Sequence, residues 1–155
     1  MKHTNNIILY QCIQFIIMLI IAIVLNPMNI LLYQVEDFYF SLTLFYSGLF
    51  MVSNMMWAHE VIHYLYTGQI NLIIFSIGII LAISSGLLLL RNQFLVNDKQ
   101  WLKRMITHHS TAITTSKNIH RKTKSNKIKQ LANEIIDTQL KEIQLMKKYL
   151  KDDNL

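Results

Sequence analysis

Three long apolar stretches restrict what this chain can fold into. They cover residues 7–25, 38–57 and 70–90, and the helical pattern of the second continues to about residue 66. A helix of about 20 apolar residues crosses a bilayer core of ~30 Å, so each stretch is predicted to be a transmembrane helix. Glycine and proline are scarce, with four and one in 155 residues. The predicted fold class is therefore all-α, with the lipid bilayer as an expected partner.

Polar residues and proline mark the ends of these stretches. Asn26-Pro27 ends the first one, because proline cannot continue a helix interior. Lys2 precedes this run and would also suit a signal peptide, but no small-residue cleavage site follows, so a membrane anchor is favoured. Glu36 and Asp37 mark the turn into the second stretch, and Gly68 marks the break before the third.

Charge divides the chain into two regions. Residues 1–90 carry a net charge of −2, whereas residues 91–155 carry +8. We therefore expect a membrane domain over 1–91 and a basic, water-exposed domain over 92–155. The excess of Lys and Arg after the third span predicts that this second domain is cytoplasmic. Its basic face suits anionic lipid headgroups, or is simply solvated, and no nucleic-acid partner is expected.

The second domain is predicted to be a helical hairpin. Its helices are expected at about 98–117 and 125–150, with Asp98 and Ser125 as N-caps. One face of the first helix carries Trp101, Met105, His108 and Ala112, flanked by Leu102, His109 and Ile113. An apolar stripe on the second carries Ile128, Leu131, Ala132, Ile135, Ile136, Gln139, Ile143 and Met146. Antiparallel packing of these faces predicts that residues 105–109 lie opposite 139–146.

This register predicts a metal site between the two helices. Imidazole suits copper, zinc, iron and nickel, and thioether suits Cu(I). Neighbouring histidines point about 100° apart on a helix, so only one can face squarely inward. An alternative remains open, because methionines also fill cores and an interfacial histidine is often merely hydrogen-bonded. The candidate ligands are Met105, His108, His109, Gln139, Glu142 and Met146.

The same residues carry a family resemblance. The chain spells, in order, Met105, His108-His109, Ala112-Ile113, Leu131-Ala132, Ile135-Ile136, Gln139, Glu142-Ile143 and Met146-Lys147. In this order and spacing, residues 99–150 resemble the ferritin-like family called domain of unknown function 305, some members of which carry preceding membrane helices. The resemblance implies a helical bundle that handles metal, copper in particular, with no established reaction. Where the family has methionine after the Ala-Ile pair this chain has Thr115, so one soft ligand is missing.

A second candidate cluster lies on the second apolar stretch. Met51, Met55, His59 and His63 recur every four residues and form one helical stripe. With Glu60 they include His-Glu-x-x-His, the pattern in which zinc proteases bind zinc through both histidines and activate water with the glutamate. No clear third zinc ligand follows. Metal passage along the stripe, or a membrane-edge helix with polar groups at the headgroups, fits equally well.

The leading expectation is a membrane-anchored helical protein that binds copper, or another transition metal, without catalysis. Two helices bury little apolar area, so a homodimer forming a four-helix bundle is expected. Two alternatives remain, an intramembrane zinc metalloprotease centred on Glu60 and a structural membrane interaction module. The single cysteine, Cys12, excludes a disulfide framework within the chain.

Overall fold

The computed structural model describes the backbone of residues 2–152 and the side chains of residues 9–152. Within this range the chain is helical, without a strand, which confirms the all-α prediction. The α-helices are α1 (Lys2–Val24), α2 (Pro27–Ile30), α3 (Leu42–Thr67), α4 (Leu72–Ile83), α5 (Asp98–Lys122) and α6 (Asn126–Leu150). A 3-10 turn covers Val35–Asp37, and α4 continues as a π-helix over Ser84–Arg91.

Among the described residues, two stretches are long and apolar enough to cross a membrane, Leu9–Ile30 and Leu72–Arg91. These correspond to the first and third of the three predicted stretches, whereas the middle one does not reach the same hydropathy. Helix α3 is long enough, at 26 residues. However, the polar residues of its second half dilute its hydropathy, among them Asn54, His59, Glu60 and His63.

The chain forms two compact units. The first, which we call the apolar unit, contains the chain up to Asn26 together with Thr43–Phe94. Helices α3 and α4 pack closely and antiparallel in it, since Gly78 lies against Trp57 and Gly86 against Phe50. A Cβ at Gly78 would lie 2.9 Å from the backbone nitrogen of Trp57. This contact therefore requires glycine.

The apolar unit exposes apolar residues and buries polar ones. Ser53 is fully buried and donates to the carbonyl of Leu49 at 2.7 Å. Glu60 is 4% exposed, and its carboxylate accepts from the backbone N–H of Asn71 at 3.0 Å. Large apolar side chains point outward instead, including Leu9, Ile13, Ile16, Ile17, Ile20, Ile73, Ile77, Ile80, Leu87 and Leu88. A large exposed apolar surface of this kind is typical of contact with lipid or protein.

The second unit, the hairpin unit, contains Pro27–Leu42 together with the chain from Leu95 onward. Helices α5 and α6 form the predicted hairpin around a core of Leu102, Ile106, Ile113, Ile143 and Met146. Ser125 caps α6 as predicted, accepting from the N–H of Ile128. Helix α5 is capped by Asn97 rather than Asp98, and it extends five residues beyond the predicted end at 117, to Lys122. The basic run before Ser125 thus prolongs the helix, and the turn is shorter than expected.

Residues 27–42 pack along the hairpin, and we call this segment the strap. Asp37 of the strap is only 1% exposed. Its carboxylate contacts the Lys147 ammonium at 2.5 Å and accepts a hydrogen bond from the Ser110 hydroxyl at 2.6 Å. The Thr107 hydroxyl donates to the Asp37 carbonyl at 3.1 Å. Tyr39 packs on the hydrophobic core. Asp37, which the sequence indicated only as part of a turn between spans, thus joins the strap to both helices of the hairpin.

Candidate metal centre

The hairpin brings four of the predicted ligands to one pocket. Met105 and His109 of α5 and Glu142 and Met146 of α6 line a cavity of about 310 Å³. The predicted register of residues 105–109 opposite 139–146 is thereby confirmed. Apolar and aromatic side chains complete the lining: Trp101, Leu102, Leu145 and Tyr149.

His109 is the central side chain of this pocket. It is 8% exposed, and its two ring nitrogens both face oxygen atoms. Nδ1 lies 2.8 Å from the carbonyl oxygen of Met105, and Nε2 lies 2.9 Å from Oε2 of Glu142. A carbonyl can only accept, so Nδ1 carries a proton and donates it. Nε2 is then left either to donate a second proton to the carboxylate or to offer its lone pair to a cation.

Glu142 is held in place by a neighbour on its own helix. The side-chain amide of Gln139 donates to Oε2 of Glu142 at 3.3 Å. The carboxylate itself remains about half exposed, with 47% of its side-chain surface accessible. The predicted ligand Gln139 therefore acts here as a partner of Glu142, and the site stays open to water on the glutamate side.

One contact of His109 is of the kind that histidine ligands of metals usually make. Histidine ligands usually donate the other ring N–H to a carbonyl or carboxylate, as Nδ1 of His109 does to Met105. Nε2 of His109 and Oε2 of Glu142 are 2.9 Å apart, a hydrogen-bond distance, so the two side chains would have to separate by about 0.5 Å to bind a tetrahedral metal ion together. No three His, Cys, Asp or Glu side chains converge anywhere in the part of the chain described. Further protein donors would have to be the thioethers of Met105 and Met146.

His108 lies outside this pocket. The structure buries the face with Leu102, Ile106 and His109, whereas His108 and Trp101 are exposed. The sequence analysis predicted that His108 faces inward. The buried face is instead the neighbouring one, shifted by one residue, which carries His109. Desolvation lowers the pKa of His108, and the nearby charges of Arg104 and His109 lower it further. Its ring meets that of His109 edge to face at 6.0 Å, so it remains adjacent to the site.

Thr115, which stands where the resemblance expects methionine, is also on the exposed face. Its hydroxyl donates to the carbonyl of Ala112 at 3.0 Å and so bonds its own helix. The missing methionine would lie away from the pocket of His109, on the same outer face as His108. Its absence leaves the four pocket residues untouched.

The His-Glu-x-x-His residues of α3 have separate contacts. The Glu60 carboxylate is buried and accepts from Asn71, which begins α4. Nδ1 of His63 lies 2.9 Å from the carbonyl oxygen of Gln69, beyond the end of α3. His59 and Met55 instead line a groove of about 450 Å³ against α1. Glu60 thus secures the turn between α3 and α4, a position ill-suited to activating a zinc-bound water.

The structure also contains contacts that the sequence did not predict. Asp37 and Lys147 form the ion pair beneath the strap, and Met18 and Met56 line the groove beside His59. The only feature of the sequence that pointed to this ion pair was the carboxylate of Asp37, in a loop between two apolar stretches. Its partner is 110 positions away, a distance at which local patterns carry no information.

Fold and site together describe a helical protein with two membrane-length apolar stretches and a His/Met/Glu-bearing helical hairpin. The sequence model of the family described as "Domain of unknown function (DUF305)" matches residues 90–150. The chain is also similar to "Uncharacterized protein L153" of Acanthamoeba polyphaga mimivirus, with 37% identity over 132 residues, covering 84% of this chain and 85% of that protein. The chain belongs to the DUF305 family. No solved structure matches it.

Proposed function

We propose that this protein is a membrane-anchored metal-binding protein without catalytic activity. The hairpin would bind one transition-metal ion through Nε2 of His109 and the Glu142 carboxylate, with the thioethers of Met105 and Met146 as further donors. The observation that supports this is the environment of the His109 ring. Its Nδ1 is fixed by a carbonyl while Nε2 and a carboxylate oxygen face each other at 2.9 Å in a pocket lined by two methionines.

Copper suits this set of donors best. Thioethers and imidazole are soft to intermediate ligands that select Cu(I), and imidazole with carboxylate also accepts Cu(II). Structural zinc sites, by contrast, are built from cysteine, histidine and carboxylate ligands. A mixed set of one histidine, one carboxylate and two methionines therefore favours copper over zinc.

The apolar unit would serve as the membrane anchor. Leu9–Ile30 and Leu72–Arg91 provide two spans, and outward-facing isoleucine and leucine side chains cover them. Helix α3 packs against both α1 and α4, and its buried Ser53 and Glu60 are bonded inside the unit. At ~1.5 Å per residue, its 26 residues extend ~39 Å. We propose that α3 also crosses, giving three spans, with the hairpin on the cytoplasmic side by the Lys and Arg excess.

A second copy of the chain is the proposed partner of the hairpin. Among the described residues of the hairpin, six apolar side chains are buried, five of them in one cluster, which is small for a stable domain. Its outer face keeps large apolar side chains accessible, namely Trp101, Ile119, Leu131, Leu145 and Tyr149. Pairing of two such faces would complete a four-helix, ferritin-like bundle and cover the open side of the His109 pocket. His108 would then lie at the contact between the copies.

The competing interpretation is that His109 and Glu142 form a simple ion pair. A doubly protonated imidazole satisfies both of its oxygen partners without a metal. The protein would then be a structural interaction module of the membrane.

Metal binding by purified full-length protein separates the two interpretations. We expect His109→Ala with Glu142→Gln to lose one equivalent of Cu(I) relative to wild type, measured by elemental analysis after anaerobic loading. His108→Ala is the matched control, because it removes the adjacent exposed imidazole, and it should keep full loading. Since neutral imidazole is the ligand, the hairpin equivalent should also dissociate at acid pH. Equal copper content in wild type and the His109/Glu142 variant would contradict the proposal.

A further inference from the structure

Two glutamines interrupt the first apolar run. Gln11 and Gln14 lie within Leu9–Ile30, where amide side chains are costly if the helix crosses a membrane. Both line the groove of about 450 Å³ between α1 and α3. The polar interruptions of α1 are therefore directed toward α3 rather than scattered around the helix.

Soft metal ligands line the same groove. Helix α3 contributes Met55, Met56 and His59, and α1 contributes Met18. Three thioethers and an imidazole thus border one cavity, together with the two amides. An aliphatic side chain would fill an apolar groove equally well, with better-defined rotamers than methionine.

His59 lines the groove, whereas the other histidine of the stripe, His63, does not. Nδ1 of His63 is engaged by the Gln69 carbonyl at 2.9 Å. The ring of His59 is exposed to the groove and makes no hydrogen bond to any residue that the structure describes. Met51, one turn before Met55, is exposed but does not line the groove. The groove is thus lined by two residues of the Met/His stripe, Met55 and His59, together with Met18 and Met56.

We propose that this groove is a second, independent Cu(I) site, formed by His59, Met55, Met56 and Met18. Imidazole and thioether together are the donor set that favours Cu(I) over harder cations. The amides of Gln11 and Gln14 add polar groups to an otherwise mostly apolar lining. The inference rests on the proposed function only for the membrane setting of the apolar unit and does not require the hairpin site.

Stoichiometry of Cu(I) binding tests the groove. Full-length protein in detergent micelles is titrated anaerobically with Cu(I) against a chromophoric Cu(I) chelator. The groove variant combines Met55→Leu, Met56→Leu and His59→Ala, and the hairpin variant combines His109→Ala and Glu142→Gln. A control variant, Met51→Leu with His63→Ala, removes the same ligand types from the same helix outside the groove. We expect two equivalents for wild type and control, and one for each site variant.

The outcomes separate the two sites. Undiminished binding by the groove variant overturns the groove site, whatever the hairpin variant does. Loss of metal by the groove variant alone supports the groove while contradicting the hairpin proposal. X-ray absorption of the copper-loaded hairpin variant provides a measurement that does not depend on the folding of the groove variant. Sulfur scattering around its copper is expected, and a shell of nitrogen and oxygen alone would overturn the assignment.

Discussion

The two units of this protein distribute polar and apolar residues in opposite ways. The hairpin unit buries Ile106 and Ile113 completely and exposes most of its lysines. The apolar unit buries Ser53 and Glu60 and exposes a broad surface of isoleucine and leucine. This is the distribution expected if water surrounds the hairpin unit and lipid surrounds the apolar unit, as proposed above.

The units also satisfy their buried polar groups differently. In the apolar unit, the buried hydroxyls of Ser53 and Ser85 bond within their own helix, to Leu49 and Leu81, although that of Thr43 donates to the side chain of Gln93. In the hairpin unit, Asp37 depends on Ser110 and Lys147, which are far away in sequence. Local bonds survive in any packing of the helices, whereas the contacts of Asp37 exist only when strap and hairpin are assembled. Loss of Asp37 should therefore affect folding more than loss of the Ser53 or Ser85 hydroxyl.

The largest expected effect is a loss of unfolding free energy that differs between the two units. Ile106→Ala removes a fully buried side chain from the hairpin and should cost about 3–4 kcal/mol of unfolding free energy. Ile80→Ala, at a 62% exposed position of the apolar unit, should cost almost nothing in detergent. Chemical denaturation of the full-length variants, followed by circular dichroism, measures both. Similar losses in the two variants would contradict the contrast between the units.

Next in size is the carboxylate under the strap. Asp37→Ala leaves the Lys147 ammonium and the Ser110 hydroxyl without their buried partner and should destabilise the hairpin unit by about 3 kcal/mol. Glu36→Ala changes the adjacent exposed carboxylate and serves as the control. Amide hydrogen exchange in α5 should accelerate in the first variant only. Unchanged exchange would mean that the strap is dispensable.

A smaller effect is expected at the close contact of α3 and α4. Gly78→Ala places a methyl 2.9 Å from the backbone of Trp57, which cannot move aside, and should cost about 1–3 kcal/mol. Gly86→Ala meets only the ring edge of Phe50, a side chain that can rotate, and should be tolerated better. Trp57 fluorescence should shift in the first variant. Equal stability of the two variants would argue against tight α3–α4 packing.

The smallest effect concerns pH. The folded protein lowers the pKa of His108 below its ordinary value of about 6.5, so it disfavours the charged ring. His108 therefore destabilises the fold only on the acid side, starting near the ordinary pKa and increasing until the folded-state pKa is passed. His108→Gln should flatten the decline in thermal stability over this window. A pH profile identical to wild type would contradict the shift, and NMR titration of the ring measures it directly.

Much of the hairpin followed from local patterns. Ser125 as a cap, the bounds of α6 and the meeting of Met105 with Glu142 and Met146 were all predictable from spacing. The orientation of α5 could not be predicted in this way. Two adjacent faces of this helix, shifted by one residue, both carry apolar residues at helical spacing. The close packing of Ile106 and Ile113, which selects the face with His109, is a tertiary effect.

Other features depend on contacts between distant parts of the chain. The docking of the strap requires Asp37 to meet residues more than 70 positions away, which no local pattern reveals. Helix α3 resembles a membrane span in length, and the burial of its polar residues Ser53 and Glu60 depends on packing against other helices of the apolar unit. The groove was predictable only in part. Met55 and His59 belong to the stripe seen in the sequence, whereas Met18 lies on another helix.

The strap has a practical consequence for dissecting this protein. The region matched by the family, residues 90–150, lacks Pro27–Leu42, because that segment precedes α3 in the sequence. A fragment cut before α5 would keep Ser110 and Lys147 but lose Asp37, and it would uncover the core beneath Tyr39. A water-soluble version of the hairpin would need residues 27–42 reconnected by circular permutation. A segment that connects two helices of the apolar unit in the sequence is in this way part of the hairpin unit.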